Sequence, residues 1–222
     1  MTSHHPSPDL LSAFSAGSLK LSHALCISAH IEHCSDCHQS AKHMNLLGSK
    51  LFEALKPAKA STDLKNNVMA MLNSNNTEQH DKTSEIQLKS PLPKALTQFI
   101  PEGEFDKLNW KHASSAIEVA HLCNDNGSRV DLVRIKPGGK VPTHTHSGDE
   151  LTMIVDGSFS DETGIYKKGD FLLRDGRHKH KPVATKDKAC ICLTVTDSPI
   201  VFTGFFTRLL NPLVRKCFIS TP

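Results

Sequence analysis

Basic runs are missing from this sequence, as are aromatics interleaved among lysines and arginines, and tryptophan and tyrosine occur once each. A surface that tracks a phosphate backbone needs clustered positive charge, so direct nucleic-acid binding has little support. The small formal net charge of +3 fits a protein partner or a small ligand better. Long apolar stretches are also lacking. No segment reaches the ~18 apolar residues that a membrane span requires, and the opening "MTSHHPSPDLL" has neither the basic start nor the apolar core of an export signal. A cytoplasmic protein with no membrane attachment is therefore expected. No internal repeat is visible.

Cysteine, by contrast, is present in an odd number, seven in 222 residues. Under cytosolic reduction such residues bind metal, react or pack more often than they form structural disulfides. Residues 30–37 read "HIEHCSDC", two histidines and two cysteines where a packing helix would need neither.

The length admits one large domain or two modest ones with cores of their own, and two is the better expectation. "PDLLSAFSAG" reads as a short helix closed by Gly17, and "SLKLSHALCISAHIEHC" places Leu21, Leu25 and Ala29 at four-residue intervals. A third helix is expected from Ser35 or Asp36 as N-cap, through Cys37, Ala41, Met44, Leu47, Leu51 and Leu55, until Pro57 ends the pattern. Residues 73–85, "NSNNTEQHDKTSE", hold no large apolar side chain and read as a solvated linker. Beyond it the period changes to alternation, in "RVDLVRIKPGG", "ELTMIVDGSFSDETG", "GDFLLRDG" and "ACICLTVTD", each bounded by Gly, Asp or Pro. The expected fold is thus multidomain, α and β: a small all-α unit over residues 1–85, including the linker, and an all-β sandwich or barrel over residues 86–222.

His30, Cys34 and Cys37 stand at i, i+4 and i+7, on one face if the helix continues and still convergent if it breaks near Ser35. A structural zinc takes about four ligands. The fourth would come from His4, His5, His23, His33 or His38; His5 is attractive because it precedes the first helix and can fold back. Thiolate donors favour zinc, and a small helical unit gains from a metal staple. A redox pair and plain packing compete with that reading, although the βαβ setting of a thioredoxin-like CxxC is absent.

A second constellation lies in "GGKVPTHTHSGDELTMIVDG", with Gly138-x5-His144-x-His146-x3-Glu150-x6-Gly157. Residues two apart on a strand point the same way, so His144 and His146 can face one interior that Glu150 joins after a short turn. Further on, "GDFLLRDGRHKHKP" offers His178 and His180. Imidazoles with a carboxylate suit zinc or another divalent transition metal such as Fe, Mn or Ni.

The first of these segments resembles the first cupin motif at every defined position; "GDFLLRDGRHKH" resembles the second motif more loosely, lacking its Pro-x-Gly. The whole chain resembles the ChrR family of anti-sigma factors, through the leading histidine, HxxxCxxC, the linker, and the stretches "RIKPGGKVPTHTHSGDELTMIVDGSFSDETGIYKKGD", "HKPVATKDKACICLTVTDSPI" and "GFFTRLLNPLVRK". That resemblance implies a cupin barrel for the second domain. It also implies His5, His30, Cys34 and Cys37 as zinc ligands and His144, His146, Glu150 and His180 as a second metal set. His180 is preferred to His178 because it stands two residues before Pro182. The implied partner is one extracytoplasmic-function-type sigma factor, held by the N-terminal helices and released under oxidative conditions such as singlet oxygen or organic peroxide. Leu10, Leu11, Phe14, Met44, Leu47, Leu51 and Leu55 exceed what three small helices can bury, so some are expected to face that partner. The competing class is a dioxygenase-like cupin metalloenzyme with an accessory helical domain, but no further acid or base set accompanies the cupin motifs.

Overall fold

The computed structural model describes residues 2–73 and 92–219. Helices α1 (Pro8–Ser15), α2 (Leu21–Ile31), α3 (Ser35–Glu53) and α4 (Thr62–Asn73) come first. Pro8 supplies the fixed φ suited to a first helical turn, and Ser7 caps α1 by accepting from the Leu10 amide at 3.3 Å. The cap of α3 is Cys34 rather than Ser35 or Asp36: its Sγ accepts from the Cys37 amide at 3.4 Å. α4 is a correction to the expected three helices. Leu64, Val68 and Leu72 recur every fourth residue there, and all three are exposed, so no core requirement marks them. Asn73, expected to open the linker, is the last residue of α4; the rest of the 73–85 linker lies outside the described residues.

The second half is built of β1 (Lys111–His112), β2 (Ile117–Asp125), β3 (Ser128–Ile135), β4 (His144–His146), β5 (Glu150–Asp156), β6 (Ser158–Ser160), β7 (Ile165–Lys167), β8 (Phe171–Arg174), β9 (Val183–Ala184), β10 (Cys190–Thr196) and β11 (Ile200–Phe202), followed by α5 (Asn211–Ile219). All pairings among these strands are antiparallel. They make a six-stranded sheet in the order β1-β2-β3-β10-β5-β8, a pair β11-β4, and a triplet β7-β6-β9, so among the described residues the barrel is not closed by continuous pairing.

The central strands carry apolar side chains on both faces, and each face has its own destination. Leu151, Met153 and Val155 of β5, Ile191, Leu193 and Val195 of β10, and Val130 and Leu132 of β3 point toward the helices. Their neighbours Ile154, Cys190, Cys192 and Ile135 point into the cupin interior with Phe159, Tyr166 and Leu172. Strict alternation along each strand makes this division. The expected pair of separate cores is therefore not what forms: Leu25, Cys26, Ile27 and Ala29 of α2 share one core with the sheet. Polar ties reinforce the contact. Asp125 accepts from the Ser22 amide at the start of α2 at 2.8 Å, and Glu32, just past its end, accepts from the amides of Lys94 and Ala95 at 2.7 and 3.0 Å.

Candidate metal centres

α2 ends at Ile31 and α3 begins at Ser35, and the intervening turn folds His30, Cys34 and Cys37 onto one point. The Nδ1 of His5, arriving from the segment before α1, lies 3.3 Å from the Cys34 Sγ and 3.4 Å from the Cys37 Sγ. One donor atom from each of the four residues falls within 4.8 Å of the others, compatible with a tetrahedral ion at bond lengths of ~2.0–2.3 Å. His23 is turned instead toward Asp197, at 3.6 Å, and His4 toward Asp170, at 3.4 Å.

The donor chemistry fits a cation. His30 is fully buried; its Nδ1 lies 2.7 Å from the Gly169 carbonyl oxygen, which can only accept, so the ring proton sits there. That leaves the Nε2 lone pair buried with no hydrogen-bond partner. Burial pushes the Cys34 thiol up, but hydrogen bonds from the Thr2 side chain and from the Cys37 and Asp36 amides outweigh it and hold the pKa below its ordinary value. Cys37 is pushed up to about 12 by burial and by the neighbouring Cys34 sulfur. Two sulfurs so close cannot both carry charge unaided, and a divalent ion between them removes the conflict.

In the second centre, β4 presents His144 and His146 on the same face, a bridge between residues 144 and 180 brings in His180, and Glu150 opens β5. The Nε2 of His180 lies 2.9 Å from that of His144 and 3.2 Å from that of His146, while the His146 Nε2 is 3.1 Å from a Glu150 carboxylate oxygen. His144 donates from Nδ1 to the Pro142 carbonyl at 2.9 Å, which turns its Nε2 lone pair inward. All four residues are buried. Burial, then the neighbouring imidazoles, lowers His144 to about 4 and His146 to about 3; burial raises Glu150 to about 7. Neutral imidazole lone pairs converging beside a carboxylate repel one another until a cation lies among them, so this set too fits a metal. Its nitrogen and oxygen donors do not select one ion.

His178 lies outside the cluster. Its Nδ1 is 2.9 Å from Asp175, and its side chain is 41% exposed against 8% for His180. Residues overlooked in the sequence complete the surroundings. Asp161, with a fully buried side chain, sits 3.4 Å from the His180 Nδ1, within ion-pair range but without hydrogen-bond alignment. Arg174 donates to Asp161 at 3.2 Å and to the Tyr166 hydroxyl at 2.7 Å. Both acids that matter here, Asp161 and Asp170, fall inside the stretch "SDETGIYKKGD", which carried the family likeness but no motif that assigns them a role.

Fold and sites together define a cupin-like protein with an appended helical Cys/His unit. Residues 103–198 match the ChrR cupin-like domain. The sequence is 30% identical over 213 residues to the anti-sigma-E factor ChrR of Cereibacter sphaeroides, covering 96% of this chain and 98% of that protein. The fold matches a chain of the crystal structure of Rhodobacter sphaeroides SigE in complex with the anti-sigma ChrR at a TM-score of 0.76 and 29% identity, covering 89% of this chain and 100% of that one. This chain belongs to the ChrR family of anti-sigma factors. Among the described residues no helix is long and apolar enough to cross a membrane.

Proposed function

We propose that this protein is a cytoplasmic regulator that sequesters an extracytoplasmic-function-type sigma factor, one to one, through residues 1–85, and releases it under oxidative stress sensed by the cupin metal cluster in residues 86–222. Zinc is the ion for His5, His30, Cys34 and Cys37; zinc or another divalent transition metal is the ion for His144, His146, Glu150 and His180.

The observation that carries the reading is a set of exposed large apolar side chains along the second half of α3, at Leu55 just beyond it, and along α4. Of the apolar residues considered for a partner surface, Leu11 is buried and Leu10, Phe14 and Met44 pack against the shared core, whereas Leu47, Leu51 and Leu55 are exposed. Phe52 of α3, at 75% exposure, and Val68, Met69, Met71 and Leu72 of α4 are exposed as well. Isolated proteins rarely expose so many large apolar side chains on neighbouring helical segments of the chain, and amphipathic helical faces seat on partner helices or grooves. Inhibition is then mass action: surfaces of the sigma factor needed by polymerase are covered, and the free pool falls with the affinity. No catalytic step is needed.

The test is tandem purification of the full chain from its host with identification of the retained polypeptide. A sigma factor in equimolar amount is expected, and Phe52→Asp with Leu51→Asp should weaken retention at least ~30-fold, the effect of losing about 2 kcal/mol at an interface hot spot. Retention of no sigma factor, together with oxygen-dependent turnover of a small substrate, would return the protein to the enzyme class.

A further inference from the structure

We infer that Asp170, together with the carbonyl of Gly169, positions the ligands of the N-terminal metal centre from the cupin side of the molecule. The inference rests on reading His5, His30, Cys34 and Cys37 as metal ligands.

His5 is the donor with least support of its own. It is exposed and precedes α1 in a segment without regular structure, so fixing its backbone costs roughly 1–2 kcal/mol per residue. Asp170 holds that segment. Its fully buried carboxylate accepts from the Ser3 amide at 2.7 Å and the His4 amide at 3.3 Å through one oxygen, while the other lies 3.4 Å from the His4 Nδ1. The Phe171 amide donates to the His4 carbonyl at 3.0 Å, so the residue next to His5 is gripped from both sides of its backbone. The carboxylate is itself fixed, accepting from the Lys167 amide at 2.9 Å. A buried carboxylate is tolerated only with such complete satisfaction.

Gly169, one residue earlier, aims a second ligand. Its carbonyl takes the His30 Nδ1 proton at 2.7 Å and so dictates that Nε2 faces the sulfurs. Partners of this kind fix a ligand's tautomer and orientation. Glycine is required for the approach: its φ is +90°, and a Cβ there would stand 2.7 Å from the Thr2 Cγ2 and 3.2 Å from the His33 Cβ. Two consecutive residues of the cupin half thus anchor the backbone beside His5 and orient the His30 imidazole, leaving the sulfurs to the start of α3. The same strand pair reaches the other centre. The Gly169 amide donates to the Ile154 carbonyl at 2.8 Å, the Ile154 amide to the Asp170 carbonyl at 3.0 Å, and the β5–β8 register ends at Glu150 opposite Arg174.

The test uses the full chain titrated with Co2+, whose thiolate-to-metal charge-transfer absorption reports on the Cys34/Cys37 centre and not on the thiolate-free cupin set. Asp170→Ala is expected to weaken chelator-competed cobalt affinity at the thiolate site ~10- to 100-fold and to shift its ligand-field bands, while the cupin centre keeps its metal. Asp170→Asn, which retains one acceptor oxygen, should fall between and carries the test if the alanine variant does not fold. Wild-type affinity and spectrum in the folded variants, or equal loss from both centres, would overturn the positioning role. A wild-type protein that gives no thiolate charge transfer would instead overturn the metal reading beneath it.

Discussion

At the residue scale, His178 and His180 differ by a single pleat of the chain, yet their surroundings are opposite. His180 faces two imidazoles and a glutamate across the bridge to residue 144, with Asp161 behind it; His178 is turned outward to Asp175. We expect His180→Ala to weaken metal binding at the cupin centre by at least ~10-fold, since even outer partners of a ligand are worth 10–100-fold, and His178→Ala to leave it unchanged. Metal content after dialysis against a chelator checks both. The spacing of two histidines in "HKH" was legible in the sequence. Spacing alone did not say which one turns inward; the family resemblance favoured His180 through its place before Pro182, and the physical reason is a pairing with a strand more than thirty residues away.

At the scale of elements, α2 serves two neighbours. Its C-terminal turn presents His30 to a candidate metal centre, and its remaining buried face, Leu25, Cys26, Ile27 and Ala29, lies on the sheet. The clamp between the N-terminal segment and β8 adds a pH dependence whose sign follows from Asp170. Burial alone would raise this carboxyl, but the amides of Lys167, Ser3 and His4 outweigh it and hold the pKa below the ordinary value. A depressed folded pKa stabilises the fold above the unfolded value of ~3.9 and loses that contribution as the pH falls through the folded value. The urea stability of wild type should therefore exceed that of Asp170→Asn at pH 7, and the gap should narrow as the pH is lowered from about 4. A gap that stays constant down to pH 3 would show that the carboxylate charge does not contribute.

At the scale of the molecule, the two centres differ in kind. As candidate metal sites, one set offers two thiolates and would suit a closed structural ion, while the other lacks thiolate and would leave a coordination position for a small ligand. Release of a partner requires that the signal favour the partner-free state, and ~1.4 kcal/mol of coupling between the halves changes affinity tenfold. In cells, His144→Ala and His146→Ala are expected to preserve repression of a sigma-dependent reporter without stress and to lose its induction by singlet oxygen or organic peroxide. Normal induction in both strains would remove the cupin centre from sensing.

The sequence by itself determined the spacings His30-x3-Cys34-x2-Cys37 and His144-x-His146-x3-Glu150, the change of period from helix to strand, and the glycine frame of the cupin motif. Each is a local matter of spacing on one helix face, one strand face or one turn: Gly157, for example, has φ +77° against the Ala189 carbonyl, where a side chain would collide. Tertiary structure alone decided that α2 and the sheet share a core, that Asp161 and Asp170 stand behind the ligands, and that α4 forms with its apolar side chains outward. The shared core and the Asp170 clamp depend on residues brought together over more than a hundred positions of chain, as with Ser3 and Asp170, and Asp161 meets His180 only through the fold. A buried carboxylate cannot be told from a surface one by its neighbours in sequence, since what separates them is the desolvation and the donors supplied from elsewhere in the fold.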